Sequence, residues 1–452
     1  MGLQKAVSVV FVVSGLIVLG STFPCLVGAQ ILNDPSVTSE DNFGYSVAID
    51  GLFIMVGDRR DDSVEANVGR AHLYGTADGQ FVRTFDDPTE TNQDNFGSAV
   101  GASNEHVIVG ALFDTTQGPL VGQAVLFSVD SGVPLHILDD PSVTIADFFG
   151  SAVDVDGQFA IVGAPGDDSN GFGIGQVHVF DVTTGQLCHT LTDPTPTGFD
   201  SFGSSVAIDG QLVIVGEPGD DTHGFGVGSA HVFNASTGQL VITLNDPTTT
   251  VSDEFGTSVA LFGNRALVGA PGDDTFGSNS GQAYLFDIDS GELLQTFNDP
   301  DPSNEDEFGR SVALSGDFVL IGAPNAINES GASSGQVFLF NVQGSWRETF
   351  ESQNGQDEDL YGFSVAIFEM TLVIGAPCAD FGGSNIGSAQ RIVLEPILIG
   401  DVNRDGAVDL LDVSPFIEVL TTSEFQPEAD INSDGTVDLL DVSPIIDLLI
   451  GA

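Results

Sequence analysis

Positive charge is nearly missing from this chain. Ten lysines and arginines stand against 65 aspartates and glutamates, a net charge of −55 over 452 residues. Lys5 is the only lysine, so the chain beyond it relies on arginine alone. Such a surface repels phosphate backbones and anionic headgroups, which argues against nucleic acid as a partner. The acidity does not imply disorder, because 41% of residues are hydrophobic and can pack a core. A solvated acidic surface suited to salt or calcium is the plainer reading. Long apolar runs are scarce too. Ala6 to Leu19 is shorter than the roughly 20 residues a membrane helix needs. It follows Lys5 and precedes the small residues Val27-Gly28-Ala29, the pattern of a secretory signal. Residues 1–29 are therefore expected to be removed, leaving a secreted or cell-surface chain from Gln30 with no transmembrane segment. Cys25 follows Phe23-Pro24 and lacks the small residues expected before a lipid anchor. Only Cys188 and Cys378 remain beyond it, so export is argued from the leader and not from cysteine usage.

What the chain has in abundance is repetition. A Phe-Gly pair recurs at Phe43, Phe96, Phe149, Phe202, Phe255 and Phe308, and Tyr361 opens a seventh copy. Every step is 53 residues. A fixed period of this kind signals a repeat architecture, and it overrides the prior of about three domains that length alone gives.

The fourth copy serves as the type. Ser205 to Ile208 alternates as a short inner strand, and Asp209-Gly210 reads as a two-residue hairpin turn. Leu212 to Val215 is a continuous apolar run, expected of a central strand buried on both faces. After a Gly-rich break, Gly228 to Phe233 forms a third strand and Gln239 to Leu244 a fourth. Asn245-Asp246-Pro247 ends it, since proline cannot donate to a ladder. The turn glycine before the fourth strand keeps its offset in six copies, at Gly79, Gly132, Gly185, Gly238, Gly291 and Gly344. Four short strands per unit describe a propeller blade. The seventh copy lacks a fourth strand. Gln30-Ile31-Leu32-Asn33-Asp34-Pro35 matches one, Ile242-Thr243-Leu244-Asn245-Asp246-Pro247, so the N-terminal strand is expected to complete the last blade and remove two open edges. The fold class expected for residues 30–395 is all-β, a seven-bladed β-propeller. In such a ring Cys188 and Cys378 fall on different sides, too far apart for a disulfide.

These copies resemble the FG-GAP repeats of the integrin α-subunit propeller. The resemblance rests on the Phe-Gly pairs followed by Ser-Val-Ala, and on Gly163-Ala164-Pro165, Gly269-Ala270-Pro271, Gly322-Ala323-Pro324 and Gly375-Ala376-Pro377. It implies fold more than function, because propellers host binding and catalysis alike. The family's calcium-binding copies carry a D-x-D-x-D-G loop between the two motifs. Here only short turns such as Asp50-Gly51, Asp156-Gly157 and Ser315-Gly316 fill that space, so those calcium loops do not carry over.

Other polar residues recur. Asp41, Asp94, Asp147, Asp200, Asp253, Asp306 and Asp359 each stand two residues before the aromatic. Seven equivalents suggest a structural task, accepting backbone N–H groups in a loop, with a repeated cation site as the lesser reading. The pairs Asp61/Asp62, Asp167/Asp168, Asp220/Asp221 and Asp273/Asp274 read as solvated loops, with weak cation or sugar contacts as the alternative. His72, His178 and His231 share a register that Val125 and Tyr284 also occupy, which marks a packing position rather than a metal ligand. Glu217 replaces the alanine of Gly-Ala-Pro in one copy only, with His223 nearby. An asymmetric residue in a symmetric array is where catalysis would be sought, yet no second carboxylate accompanies it and no catalytic residue is assigned.

After Pro396 the pattern changes. Asp401, Asn403, Asp405, Asp409 and Asp412 supply side-chain oxygens at positions 1, 3, 5, 9 and 12 of a loop, with Gly406 for the sharp turn and Ala407 offering a carbonyl at 7. Asp430, Asn432, Asp434, Thr436, Asp438 and Asp441 repeat the scheme 29 residues later. Oxygen donors at this spacing suit calcium, one ion per loop and two in all. Both loops close on aspartate where an EF-hand expects glutamate, and no helix pattern precedes the first. Duplicated loop-then-helix halves of this form resemble a type I dockerin. The resemblance implies a small α-helical module over residues 397–452, a cohesin-type partner on a scaffold or surface protein, and contacts through Leu410, Leu411, Leu439 and Leu440. Pro415 and Pro444 must fall in the first turn of the exit helices or kink them.

Three functions fit. The first is a non-catalytic binding or adhesion propeller, presenting a glycan or protein ligand face and anchored by dockerin and cohesin. The second is a polysaccharide-degrading enzyme or accessory subunit of a cellulosome-like complex, which requires clustered, unrepeated acids and aromatics. Trp346 is the only tryptophan and offers no sugar-stacking platform by itself. The third is a structural surface-layer component.

Overall fold

The computed structural model describes residues 26–37, 40–63, 67–89, 92–328, 331–352, 355–380 and 386–394. They lie within one compact unit, Cys25–Glu395. Its strands form seven four-stranded antiparallel sheets. Blade four contains Ser205–Asp209, Leu212–Glu217, Ser229–Asn234 and Gln239–Asn245, in that spatial order. The other blades repeat it around a ring, and each innermost strand contacts the innermost strands on both sides, Phe43–Asp50 touching Ser364–Phe368. In the seventh sheet the strand Leu26–Leu32 pairs with Ser388–Leu394, with Gln30 opposite Arg391 and Leu32 opposite Ala389. That strand begins upstream of the expected cleavage point at Ala29.

Two local features differ from the sequence reading. Asp209 pairs with Leu212, so the turn residues are Gly210 and Gln211, not Asp209 and Gly210. Gly210 has φ of 59° at the first of the two central positions, which only glycine accepts readily, and Gln211 does not share the left-handed region. The register between third and fourth strands also shifts in blades one to six, as at Val232/Phe233 in blade four. A bulge there adds twist to the outer edge. Alternation of apolar residues does not reveal it.

The core lies between blades, not within one. Ile214, Val232 and Leu244 of blade four pack with Phe255, Val259, Leu261 and Val268 of blade five. Each motif aromatic is buried there, and the six phenylalanines each meet an aromatic of their own third strand edge-on. Phe202 and Phe233 have centroids 5.9 Å apart at 89°, and Phe255 and Phe286 6.0 Å apart at 88°. Neighbouring blades are also stitched through backbone: Phe255 N–H donates to Val227 O at 2.9 Å, and Phe43 N–H to Ile386 O at 3.0 Å across the blade seven to blade one junction.

The closest approach is glycine on glycine. A Cβ at Gly216 would run into the Gly256 carbonyl oxygen of the next blade, and the same holds for Gly57 against Gly97, Gly110 against Gly150, Gly163 against Gly203, Gly269 against Gly309, Gly322 against Gly362 and Gly375 against Gly44. The carbonyl so exposed is used: Ser205 Oγ donates to Gly256 O at 2.8 Å, and Ser364 Oγ to Gly44 O at 2.9 Å.

Gly216→Ala should therefore lower stability by about 2–4 kcal/mol through overpacking alone. Gly210→Ala meets open space and only its positive φ opposes it, a cost of about 1 kcal/mol. Urea unfolding midpoints check the ranking; equal losses would contradict the steric account.

Candidate functional site

The loops between second and third strands, and those joining one blade to the next, emerge at one end of the ring. In blades three and four they carry exposed aromatics. Phe172, Phe199 and Phe225 are 66%, 68% and 73% exposed, and Phe276 in blade five is also exposed. Phe172 and Phe199 contact edge to face, centroids 5.0 Å apart at 79°. Phe199, Phe225, Pro218, Asp221, Glu254 and Arg310 are among the residues lining a cleft of about 630 Å³. Glu254 and Arg310 also line a neighbouring cleft of about 250 Å³ with Glu307 and Asn279. Hydrophobic rings beside carboxylates and one guanidinium suit a ligand with an apolar face and hydroxyl or cationic groups. Sequence reasoning missed these phenylalanines. Their signal was Gly171-Phe172-Gly173 and Gly224-Phe225-Gly226, where flanking glycines leave a large apolar residue no strand to pack in.

Beneath these loops, most junctions between blades gather buried carboxylates. Asp147 accepts Thr144 N–H at 2.5 Å, Asp200 accepts Thr197 N–H at 2.6 Å and Asp253 accepts Thr250 N–H at 2.9 Å. The aspartates before the aromatics thus cap their own loops. For Asp61, Asp167, Asp220 and Asp273 the expectation of a solvated loop is wrong. All four are buried. Each accepts the N–H two residues on, as Asp167 does from Ser169 at 2.7 Å, and turns its second oxygen to a neighbour, as Asp167 does to Ser142 Oγ at 2.5 Å. Their partners Asp62, Asp168, Asp221 and Asp274 accept the N–H five residues on, Asp168 from Gly173 at 2.6 Å and Asp221 from Gly226 at 2.7 Å. Burial raises Asp140 to about 6 and Asp253 to about 7, with neighbouring aspartates adding to the shift.

His72, His178 and His231 are fully buried and pack on Phe43, Phe149 and Phe202, as a packing position requires. They have a polar side as well. Their Nδ1 atoms lie 3.0, 3.1 and 3.0 Å from Thr84, Thr190 and Thr243 Oγ1. Their Nε2 atoms turn toward carboxylates, and one ligand atom from each member of Asp34–Asp58–His72, Asp140–Asp167–His178 and Asp193–Glu217–His231 lies within 4.8 Å of the others. Burial depresses all three imidazoles to about 4, so they are neutral at pH 7.

Glu217 belongs to this buried layer. Its Oε2 is 2.6 Å from His231 Nε2 and neither side chain is exposed. Burial, then Asp193, drives the carboxyl far above its ordinary 4.5. A protonated Glu217 donating to a neutral His231 satisfies both atoms without burying charge. No substrate reaches that pair, and His223 lies apart on the exposed loop. Cys188 is exposed, Cys378 half-buried, and both are free. The loop residues from Asp401 to Asp412 and from Asp430 to Asp441, with Leu410, Leu411, Leu439 and Leu440, lie outside the described residues. So do the expected helices of that module. Among the described residues no helix is long and apolar enough to cross a membrane.

Seven sheets in a ring, with the glycine that follows each motif aromatic meeting the glycine at the end of a second strand at each junction, define a repeat propeller. The FG-GAP repeat model matches residues 29–74, 143–180, 188–233, 241–286, 294–340 and 347–392, more than half of the chain, and the protein belongs to the FG-GAP repeat family. Six units match although seven blades are present. The second blade is the one without a matched unit. Residues 399–450 match the dockerin type I domain. Dockerins of this type bind calcium and pair with cohesins, and they occur in secreted or cell-surface proteins. No curated protein matches the chain.

Because the Glu217 proton is held in the fold, its contribution to stability is complete below about pH 4.5 and is lost as pH rises toward the folded-state value. His231 runs the opposite way, losing stability from 6.5 down toward 4, in wild type and variant alike. Glu217→Gln keeps a donor to Nε2 and removes the ionisable group. The variant should gain on wild type as pH rises from 5, by about 1.4 kcal/mol per pH unit while the Glu217 proton stays in place. Urea titrations at pH 5, 6.5 and 8 measure the gap; a constant gap would mean the carboxyl is ionised in the fold.

Proposed function

We propose that this is an exported, non-catalytic binding propeller, held on a scaffold or surface protein by a calcium-dependent dockerin–cohesin contact. In this reading residues 1–29 are a signal peptide, 30–395 the propeller and 397–452 the dockerin. Removal of residues 1–29 leaves Gln30, Ile31 and Leu32 to hold the outer edge of blade seven. The first matched repeat unit begins at residue 29, which supports counting that strand as part of the propeller. Asp401, Asn403, Asp405, Ala407, Asp409 and Asp412 hold one calcium, and Asp430, Asn432, Asp434, Thr436, Asp438 and Asp441 a second. The donors are all oxygen, as calcium prefers, and the module is small enough to depend on its metal for folding. Leu410, Leu411, Leu439 and Leu440 face the cohesin.

The observation that carries the binding role is the cleft edged by Phe199 and Phe225 at the loop end. Its rings give the stacking surface that a single tryptophan could not, and they suit the face of a sugar or an apolar protein side chain. The enzyme reading is weaker because Glu217, its best acid, is sealed between blades.

A glycan array and a screen of surface proteins, run with wild type and Phe199→Ala/Phe225→Ala, test the cleft. Both positions are exposed, so the variant should fold normally and lose at least tenfold in affinity for whatever the wild type retains. Undiminished binding removes the cleft from the account. Reducing-sugar release that vanishes in Glu217→Gln would replace the binding reading with an enzyme. Cohesin capture should need calcium and disappear in Asp412→Ala/Asp441→Ala.

A further inference from the structure

The junction between blades one and two differs from its sisters in a way that points to a ligand. Asp87 follows the strand Phe81–Asp86, Asp94 precedes Phe96–Ala102, and Asp114 follows His106–Ala111. One carboxylate oxygen from each lies within 4.8 Å of the others, and the three side chains are 2%, 0% and 0% exposed. Neither Asp87 nor Asp114 has an ion-pair partner among the described residues. Asp87 Oδ1 accepts Thr89 N–H at 2.8 Å, and Thr89 Oγ1 lies 2.7 Å from that oxygen and 3.2 Å from Asp114 Oδ2. Asp114 Oδ1 accepts Thr116 N–H at 2.8 Å.

Asp87 Oδ2 is left buried with no hydrogen-bond partner. The equivalent oxygen is orphaned in the five other copies that carry aspartate here, Asp34, Asp140, Asp193, Asp246 and Asp299. Gln123, also buried, leaves Oε1 unpartnered here while its Nε2 reaches Thr116 Oγ1 at 3.4 Å. Buried carboxylate oxygens without donors are costly unless protons or a cation are shared among them.

What sets this junction apart is Val125. It occupies the third-strand position where His72, His178 and His231 direct Nε2 into their clusters and Tyr284 donates to Asp273 Oδ2 at 3.0 Å. Valine brings no nitrogen and no hydroxyl, and it is shorter than any of those rings. Of the buried clusters of three such groups among the described residues, this is the one built from carboxylates alone, and it has the least side chain filling the centre. Calcium takes 6–8 oxygens at 2.3–2.6 Å, and three carboxylates, threonine hydroxyls and an amide oxygen are of that kind.

We propose that Asp87, Asp94 and Asp114 form a buried calcium site that pins blade one to blade two. It is separate from the D-x-D-x-D-G loops of the repeat family, which this chain lacks, and from the loops after Pro396. The site closes when both blades are present, so calcium bound there stabilises the ring and not one sheet.

The test uses the full chain with Asp405→Ala and Asp434→Ala, which silence the C-terminal loops. After gel filtration in calcium chloride, elemental analysis should still find bound calcium. Adding Asp114→Asn or, in a second variant, Asp87→Asn should remove one ion per chain, and with it part of the calcium-induced rise in the thermal midpoint of the near-ultraviolet circular dichroism. The difference between variants counts whether or not the two loop substitutions act as intended. No calcium on the loop-silenced chain, an unchanged count in a folded Asp114→Asn or Asp87→Asn protein, or an equal midpoint rise with magnesium chloride would each overturn the assignment. Stability that rises toward pH 5 without any response to calcium would overturn it too, showing that protons hold the carboxylates together.

Discussion

The ring depends on how near two backbones can come at the junction between blades. The glycine that opens Gly-Ala-Pro, or its counterpart in Gly57, Gly110 and Gly216, lies against the carbonyl of the glycine after the next motif aromatic, seven times over, and Gly375 against Gly44 completes the circle. Nothing larger than hydrogen fits. This contact sets the spacing at which the motif phenylalanine can fill the gap between sheets and the serine hydroxyl can reach the same carbonyl. Ser46, Ser205, Ser258, Ser311 and Ser364 do so at 2.7–2.9 Å. In blades two and three Ala99 and Ala152 stand at this position, so the glycine contact is the universal element and the hydroxyl an addition. The two halves of the family motif are thus one interaction seen from two blades.

Close junctions have an electrostatic consequence. The loops that cross them must satisfy backbone N–H groups away from water, and aspartate is the shortest side chain that can do so with charge. Using it three times at five of the seven junctions brings carboxylates within a few ångströms of one another. The chain offsets this differently around the ring. Histidine lies beside the pair at two junctions, a protonated Glu217 meets His231 at a third, and Tyr284 donates a hydroxyl at a fourth. Variation among His, Tyr and Val at one register reflects these separate solutions as much as packing.

The ring was legible in the sequence because its signals are periodic. A 53-residue ruler, apolar second strands and turn glycines at fixed offsets each specify the same blade, and the sheets follow them closely. What was not legible depends on neighbours that periodicity cannot supply. Asp209 tolerates a turn position by itself, yet the pairing of Asp209 with Leu212 moves the turn by one residue. Asp167 and Asp168 look alike in sequence; the loop arriving from the preceding blade buries the first, while the second is half-buried. Glu217 stood out as an acid in place of the motif alanine, but Asp58 holds the same register in blade one and is also buried. The Glu217 carboxyl serves the local pairing with His231, since a group closed off from solvent cannot meet a polysaccharide.

The same loops join the buried layer to the exposed one. Asp168 and Asp221 accept the N–H of Gly173 and Gly226, the residues directly after Phe172 and Phe225. The carbonyls of those phenylalanines accept N–H groups from the following inter-blade loop, Phe199 at 3.0 Å and Ser252 at 2.9 Å. Each ring is therefore held outward by backbone bonds on both sides of it. Exposed aromatics on slack loops would lose conformational freedom on binding and tend to collapse onto their own surface beforehand. Fixed in this way, they meet a ligand with much of the ordering cost already met in folding. Two interlocked loops from adjacent blades, not a single loop, make the smallest unit of the binding face. A ligand seated there would span a junction and so favour the closed ring.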